Sequence, residues 1–537
     1  MYKNNAQIIY SPSDLIRYLE SPFASWMERH HLECPDDPDA QPDPVTEEQE
    51  LVFRLGDEHE ARHLARLASG GADVAPIPKE GVDRAEAERL TREAMAAGRG
   101  VIYQARLAHG DFAGMADFLE RVTPAGDGPH RYEVTDTKLA LSVKPYYLIQ
   151  LCCYAEMLAH AQGAWPAQIH VVLGDGQRET FRAIDFAYYY MQVKGAFLAL
   201  MAGYDGTNRP EPEPRADHGR WASHAEAWLR GVDHPVLVAG ITRGQIRRLA
   251  NAGVRTVAEL ARAADRHIDG MAPDVLDRLA DQARLQVATR EKQAAAGSGE
   301  VVSPEFRVLA TGGNGRPAGL ATLPPASPMD VAFDMEGYPF VEEGLEYLFG
   351  AMGSDGAIEP EFFDWWAHDR EGERVAFGGF IDWAFARWKA DPTMHIYHYA
   401  PYETTALKRL MGRHGTREEE VDTLLRHGVF VDLYQIVRRG LRIGAESYSI
   451  KKVEALYMPT RAEDVTGAVE SVVYYARWRQ SGQDGDWSKS QILGQIRDYN
   501  RADCESTWRL IGWLRERQRE AGIAYVPKVA DEDQAPR

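Results

Sequence analysis

The sequence predicts a multidomain α/β chain in which two α/β cores are joined by a helical connector. Three observations carry that reading. At 537 residues the chain exceeds what one hydrophobic core organises, since domains run to ~100 to 200 residues. Strand-like runs fall in two separated regions, from VIYQARLA to QIHVVLGD and from VAFDMEG to MHIYHYA, and the residues between them, 231 to 310, read as mainly helical. With 44% hydrophobic and 26% charged residues, the composition is that of a globular chain rather than a disordered one.

The first domain, residues 1 to 230, carries CPDDPDAQPDPVTEEQE at 34 to 50, Pro-rich and free of Lys and Arg, which predicts an exposed loop. Helical period returns in LVFRLGDEHEARHLARLA. VIYQARLA, DFAGMADFLERV and RYEVTDTKLA read as strands, and PYYLIQLCCYAEMLAHA as a long amphipathic helix. The strand QIHVVLGD and the helix FAYYYMQVKGAFLALMAG complete the domain before the breaker RPEPEPRADHG. This helix, strands, helix order is that of an α/β core. In the connector, ITRGQIRRLANAGVRTVAELARA resembles a helix-hairpin-helix, and MAPDVLDRLADQARLQVATREK adds a further helix. The Gly- and Pro-rich stretch 311 to 328 reads as a linker. Residues 329 to 522 then place strands first and flanking helices after them, the order of an RNase H-like mixed sheet, and 523 to 537 form a tail.

The formal net charge of -20 argues against indiscriminate attraction to polyphosphate. It suits a protein that gathers carboxylates around divalent cations, which then neutralise incoming phosphates. Local basic segments supply candidate nucleic-acid contacts: Arg247 and Arg248 in 241 to 255, and Tyr448, Lys451 and Lys452 in 437 to 452. No apolar run approaches the ~18 residues that span a bilayer, and no export signal opens the sequence. Four Cys, at 34, 152, 153 and 504, predict a reduced, cytoplasmic chain rather than a disulfide framework. The GxxxxGK[ST] phosphate loop of an ATPase motor is absent.

The stretch VAFDMEGYPF (331 to 340) sets two acids in an apolar strand, where residues i and i+2 share a face, so Asp334 and Glu336 project side by side. Two desolvated carboxylates repel, and a divalent cation removes that penalty. Downstream, MHIYHYAPYETTALKRL puts Glu403 at the start of a helix, and IRDYNRADCESTWRL puts Tyr499 and Asp503 four apart on one helical face. Over roughly residues 328 to 520 the sequence resembles the DEDD exonucleases of the DnaQ-like, RNase H-fold superfamily, in the branch with a YxxxD motif. The resemblance implies that Asp334, Glu336, Glu403 and Asp503 hold two Mg2+ or Mn2+ ions, and that Tyr499 orients the attacking water. One departure stands out: Glu403 occupies a position where that family carries Asp. Asp432, in VFVDLYQIV, is a second candidate for the role, or a helix N-cap.

In the first domain, GMADFLERV carries Asp117, and YEVTDTKLA places Asp136 and Lys138 on one strand face. GDEHE offers Glu60, with His59 as the alternative, and QLCCY places Gln150 and Tyr154 at i and i+4. Asp-x-Lys in isolation is equally a surface ion pair. Taken together, the set resembles the RecB-like branch of the PD-(D/E)XK, restriction-endonuclease-like nucleases. That implies Glu60, Asp117 and Asp136 as cation ligands, Lys138 as a catalytic cation, and Gln150 and Tyr154 as a nucleic-acid-binding QxxxY element. The whole arrangement is similar to a bacterial family of RecB-like nucleases joined to a DnaQ-like exonuclease. Some RecB relatives hold an iron-sulfur cluster on four Cys; Cys34 stands near the first such position, but RPEPEPRADHGRWASHAEAW (209 to 228), where the other three would be sought, has no Cys, so no cluster is expected.

The expectation is a two-site, metal-dependent nuclease acting on single-stranded DNA or DNA ends in repair, recombination or defence, with a 3′ to 5′ exonuclease in its C-terminal domain and a helicase as a partner in trans. Two rivals remain at this stage: an adaptor with vestigial sites that recruits a helicase or defence complex, and an RNA-processing nuclease, since the RNase H fold serves RNA equally well.

Overall fold

Strands of the first half, several of them buried along most of their length, pair into a six-stranded sheet. The computed structural model of the chain describes residues 1–4, 7–122, 129–297, 302–309, 317–354, 359–459 and 468–527. The chain divides into two compact units, Met1–Gly231 and Val232–Arg537. In the first, the sheet runs in sequence order through β1 (Val74–Pro76), β2 (Val101–His109), β3 (Phe112–Val122), β4 (Arg131–Thr137), β5 (Gln168–Val172) and β6 (Arg178–Arg182). The β1–β2 and β4–β5 pairs are parallel and the others antiparallel. Helix α1 (Glu47–Ser69) begins in a capping box of Thr46 and Gln49, which satisfies two of the orphan donors of its first turn. Between β1 and β2 comes α2 (Arg84–Ala96). The crossover helix α3 (Pro145–Gln162) departs from its amphipathic reading: Tyr147 to Ala155 are all buried, because sheet and helices enclose it on every side. Helix α4 (Ala183–Ala202) follows the sheet and sends Tyr190 and Phe197 into the same core.

The second unit opens with the short helices α5 (Arg243–Asn251) and α6 (Val257–Ala261), capped by Thr242 and Thr256 and joined through Gly253 at φ 76°, then the long helix α7 (Pro273–Ala296). These helices share a core of Ile246, Leu249, Val257, Leu260, Leu276 and Leu279. They cluster with the C-terminal sheet rather than as a unit of their own. Helix α7 abuts a two-stranded ribbon of β7 (Phe306–Val308) and a later strand, and Gln282 Nε2 donates to Ile443 O at 2.6 Å.

The five-stranded sheet of this unit has the order β10-β9-β8-β11-β12, built from β8 (Val331–Tyr338), β9 (Leu345–Gly353), β10 (Glu361–Trp366), β11 (Ile396–His398) and β12 (Phe430–Asp432). The first three strands pair antiparallel, and β8, β11 and β12 are parallel. Every residue of β9 is buried, as its mostly apolar run requires, and the one acid in it, Glu346, accepts from Tyr402 OH at 2.9 Å. One face is covered by α8 (Arg370–Ala390), whose Phe380 stacks on Phe333 at 4.1 Å. Helices α9 (Tyr402–His414) and α10 (Glu418–Arg426) lie between β11 and β12 in sequence. After β12 come α11 (Leu433–Gly440), β13 (Leu441–Ile443), which completes the ribbon, and α12 (Ile450–Glu454). Helices α13 (Ala468–Ser481) and α14 (Gln491–Glu520) follow, and the stripe Leu493, Ile496, Tyr499, Cys504, Leu510 and Leu514 of α14 is buried at helical period.

Residues 319–323, read as part of a linker, are instead packed: Leu320 and Leu323 enter the core, and Gln518 Nε2 donates to both their carbonyls. Two small residues allow the approach, because a side chain on Gly319 would meet the backbone of Gly440 at 2.4 Å. The linker reading at 311–316 and the tail reading from 528 lie outside the described residues. No helix of the described residues is long and apolar enough to cross a membrane.

Candidate active site

The central strand β8 presents Asp334 and Glu336 toward α14, whose Asp503 completes a trio. Ligand oxygens of the three lie within 4.8 Å of one another. Burial, then Asp503, Glu336 and Glu403, drive the Asp334 carboxyl well above the usual carboxylate range. Glu336, 4% exposed, is pushed up to about 8, by burial first and then by its acidic neighbours against a hydrogen bond from Ser471.

Two neutral groups aim these acids. Asn500 Nδ2 donates to Asp334 Oδ2 at 2.7 Å, and Ser471 Oγ donates to Glu336 Oε2 at 2.7 Å. Neither was found by sequence reasoning. Asn500 adjoins Tyr499 and belongs to the buried stripe of α14, so helical period would have pointed to it; Ser471 has no motif to mark it. Asn500 reaches Asp334 because Gly350, directly opposite on β9, has no side chain. A Cβ there would sit 1.7 Å from Asn500 Oδ1. Gly350→Ala is therefore expected to destabilise the chain by about 1–3 kcal/mol in denaturant melts. Gly378→Ala on α8, where a Cβ meets nothing within 4 Å, is the control and is expected to be neutral or stabilising.

Tyr499 is buried with its hydroxyl bonded to Asp503, and burial together with the three acids raises its pKa, so it stays a protonated phenol. Glu403 lies in the first turn of α9, 4% exposed and outside the tight trio, though close enough to act on Asp334. Its Oε2 is buried 3.2 Å from His398 Nδ1, a nitrogen that also reaches Ala400 O at 2.7 Å. Burial disfavours the charged imidazole, yet the Glu403 carboxylate more than offsets it and raises the His398 pKa. Asp432 caps α11 through Gln435 N at 3.4 Å and accepts from Ala400 N at 3.1 Å, so it props the loop ahead of Glu403.

Of the expected nucleic-acid contacts, Lys451 Nζ lies 5.8 Å from the Tyr499 ring centroid, Lys452 is exposed on the same short helix, and Arg247 and Arg248 are exposed on α5. Tyr448 departs from the reading. It is 8% exposed, and its hydroxyl donates to Gln282 Oε1 at 2.9 Å, so it joins α7 to the ribbon.

In the first unit, Glu60, Asp117, Asp136 and Lys138 gather beside β3 and β4. Burial, then Asp136 and Glu60, push Asp117 up to about 8, although Thr137 N and Oγ1 both donate to its Oδ2 at 2.9 Å. Lys138 Nζ is 2.5 Å from Asp136 Oδ2; burial opposes its charge, but the pairing keeps the ammonium pKa raised. Tyr103 bonds Glu60, and burial followed by that carboxylate lifts its phenol to about 12. His59 is buried with Nε2 3.4 Å from Val172 O, so Glu60 is the one of the pair held among the acids. Gln150 and Tyr154, read as a nucleic-acid-binding element, are both buried, and Tyr154 OH donates to Met115 O at 2.8 Å on the strand that carries Asp117. Among the described residues, these N-terminal acids bring no three ligand atoms as close as the C-terminal trio.

The C-terminal donor set fits a divalent cation: hard oxygen ligands and mutual repulsion in a desolvated site. A sequence profile of the RNase H superfamily matches residues 331–515. No curated protein matches the chain. The C-terminal domain is RNase H-like, and with its acidic trio it implies a metal-dependent, nuclease-type enzyme that acts on nucleic acid.

Proposed function

We propose that the chain is a 3′ to 5′ exonuclease on DNA, its C-terminal site built from Asp334, Glu336, Glu403 and Asp503 with Tyr499 beside them. The observation that carries this is the meeting of the three acids with the Tyr499 hydroxyl already bonded to Asp503. Mg2+ or Mn2+ bound there would neutralise the acids and stabilise charge on the scissile phosphate. The protein's own part is positional. Asn500 donates to Asp334 and Ser471 to Glu336, and the protonated Tyr499 hydroxyl donates to Asp503 while its lone pairs can accept a hydrogen from the attacking water. Lys451, next to the Tyr499 ring, is placed to meet a backbone phosphate, with Lys452, Arg247 and Arg248 as further contacts.

The first unit is read as a second, RecB-like nuclease site. Glu60, Asp117 and Asp136 would hold the cation, and Lys138 would steady charge in the transition state. The raised Asp117 and the Lys138–Asp136 ion pair support this reading. A gel assay tests both sites, using end-labelled single-stranded DNA, duplex DNA and RNA with the metal varied. The expected result is a 3′ to 5′ ladder on single-stranded DNA that Asp334→Ala removes and Asp136→Ala leaves, and a separate product pattern with the reverse dependence. A ladder that survives Asp334→Ala overturns the C-terminal assignment; preference for RNA replaces the substrate.

A further inference from the structure

One backbone irregularity in the first unit sits beside its acids. In the β2–β3 ladder Tyr103 pairs with Phe118 and Ala105 with Ala116, and the step between them, at Gln104 and Asp117, is skipped while the register on either side is unchanged. Gln104 has φ 60°, the left-handed region where a residue other than glycine is held at a cost of about 1–3 kcal/mol. Glycine would remove that cost, yet the position carries a long amide.

That amide is 1% exposed and turned onto the acids. Its Nε2 donates to Glu60 Oε1, and its Oε1 is buried without a hydrogen-bond partner. Leaving a buried carbonyl unmet costs about 1–3 kcal/mol. With a cation in place, its carboxylate ligands only accept hydrogen bonds and offer this oxygen no donor. A divalent cation can satisfy it, since such ions take side-chain amide oxygens alongside carboxylates.

We propose that Gln104 is a fourth member of the N-terminal cation site, its amide nitrogen fixing Glu60 and its carbonyl oxygen serving as a neutral ligand to the cation held by Glu60, Asp117 and Asp136. This rests on the cation-site reading of those three acids. A neutral oxygen adds a ligand without adding negative charge to a buried acidic centre. The left-handed backbone is what turns this one side chain out of the strand alternation and onto Glu60.

The test is Mn2+ binding by isothermal titration to the full chain carrying Asp334→Ala and Glu336→Ala, which empties the C-terminal site. The parent is expected to bind Mn2+ in a manner that Asp136→Ala abolishes. Gln104→Gly suits the backbone and so keeps the fold, as a thermal melt in chelator checks; it is expected to weaken Mn2+ at least ~10-fold. Gln104→Glu, which keeps an oxygen at the position, is expected to retain the affinity within ~3-fold or tighten it. Unchanged binding in Gln104→Gly, with Asp136→Ala still abolishing it, overturns the role of Gln104 and leaves the acid site standing. Equal weakening in Gln104→Gly and Gln104→Glu overturns the ligand assignment. Binding indifferent to Asp136→Ala removes the acid site itself and the proposal with it.

Discussion

Asp334→Asn, introduced into the otherwise intact chain, is expected to lower the C-terminal phosphodiesterase activity on the order of 10³-fold, with the ladder from a labelled oligonucleotide as the readout. The change removes one charge and almost no volume. Asparagine can still accept from Asn500 Nδ2, so the 2.7 Å contact and the local packing are kept. What is lost is the carboxylate that the other acids surround, and with it much of the site's hold on a cation. The same variant in chelator is expected to melt higher than the parent, because it relieves the repulsion that burial, Asp503, Glu336 and Glu403 impose on that position. Lower activity with higher metal-free stability is the pattern of a functional acid; lower activity with lower stability would mark Asp334 as a packing residue instead.

In chelator, the parent chain is expected to lose stability as pH rises from about 4.5 through about 8. Glu336 titrates near the ordinary 4.5 when unfolded and near 8 when folded, so between these values the folded chain binds more protons than the unfolded one. Stability therefore falls with rising pH across that window and levels off above it. Asp117 acts with the same sign in the first unit, from an ordinary 3.8 to about 8. A melting midpoint lower by about 5 °C or more at pH 8 than at pH 5 is the expected size. Saturating Mn2+ is expected to abolish much of the difference, since the cation replaces the proton as the partner of the carboxylates. Glu336→Gln removes its share of the slope. A midpoint independent of pH in both chains would show that the acids are solvated rather than buried together.

Several site residues were legible because their relation is local. A strand puts Asp334 and Glu336 on one face whatever surrounds it, and a helix does the same for Tyr499 and Asp503. The strand-first order of the C-terminal half likewise announced a mixed sheet, whereas the place of β8 at its centre shows only in the strand order. Residues whose role depends on a distant partner were misread or missed. Tyr448 sits in a basic segment and was read as a contact, but Gln282 on α7 takes its hydroxyl and buries it. Gln150 and Tyr154 keep the QxxxY spacing, and only the fold shows that both are buried. Leu320 and Leu323 lie in a Gly- and Pro-rich stretch, and composition gives no hint that α14 holds them.

By itself, then, the sequence determined the residue types and their local spacing: two acids at i and i+2, a tyrosine and an acid at i and i+4, and strands and helices of the right period to carry them. The tertiary structure alone decided which faces meet. Asp503 joins the strand acids, Ser471 and Asn500 take one oxygen each, and Gly350 leaves the gap through which Asn500 reaches. The physical reason is that periodicity is a property of neighbouring residues along the chain, whereas desolvation, repulsion and close approach arise only between surfaces that folding brings together.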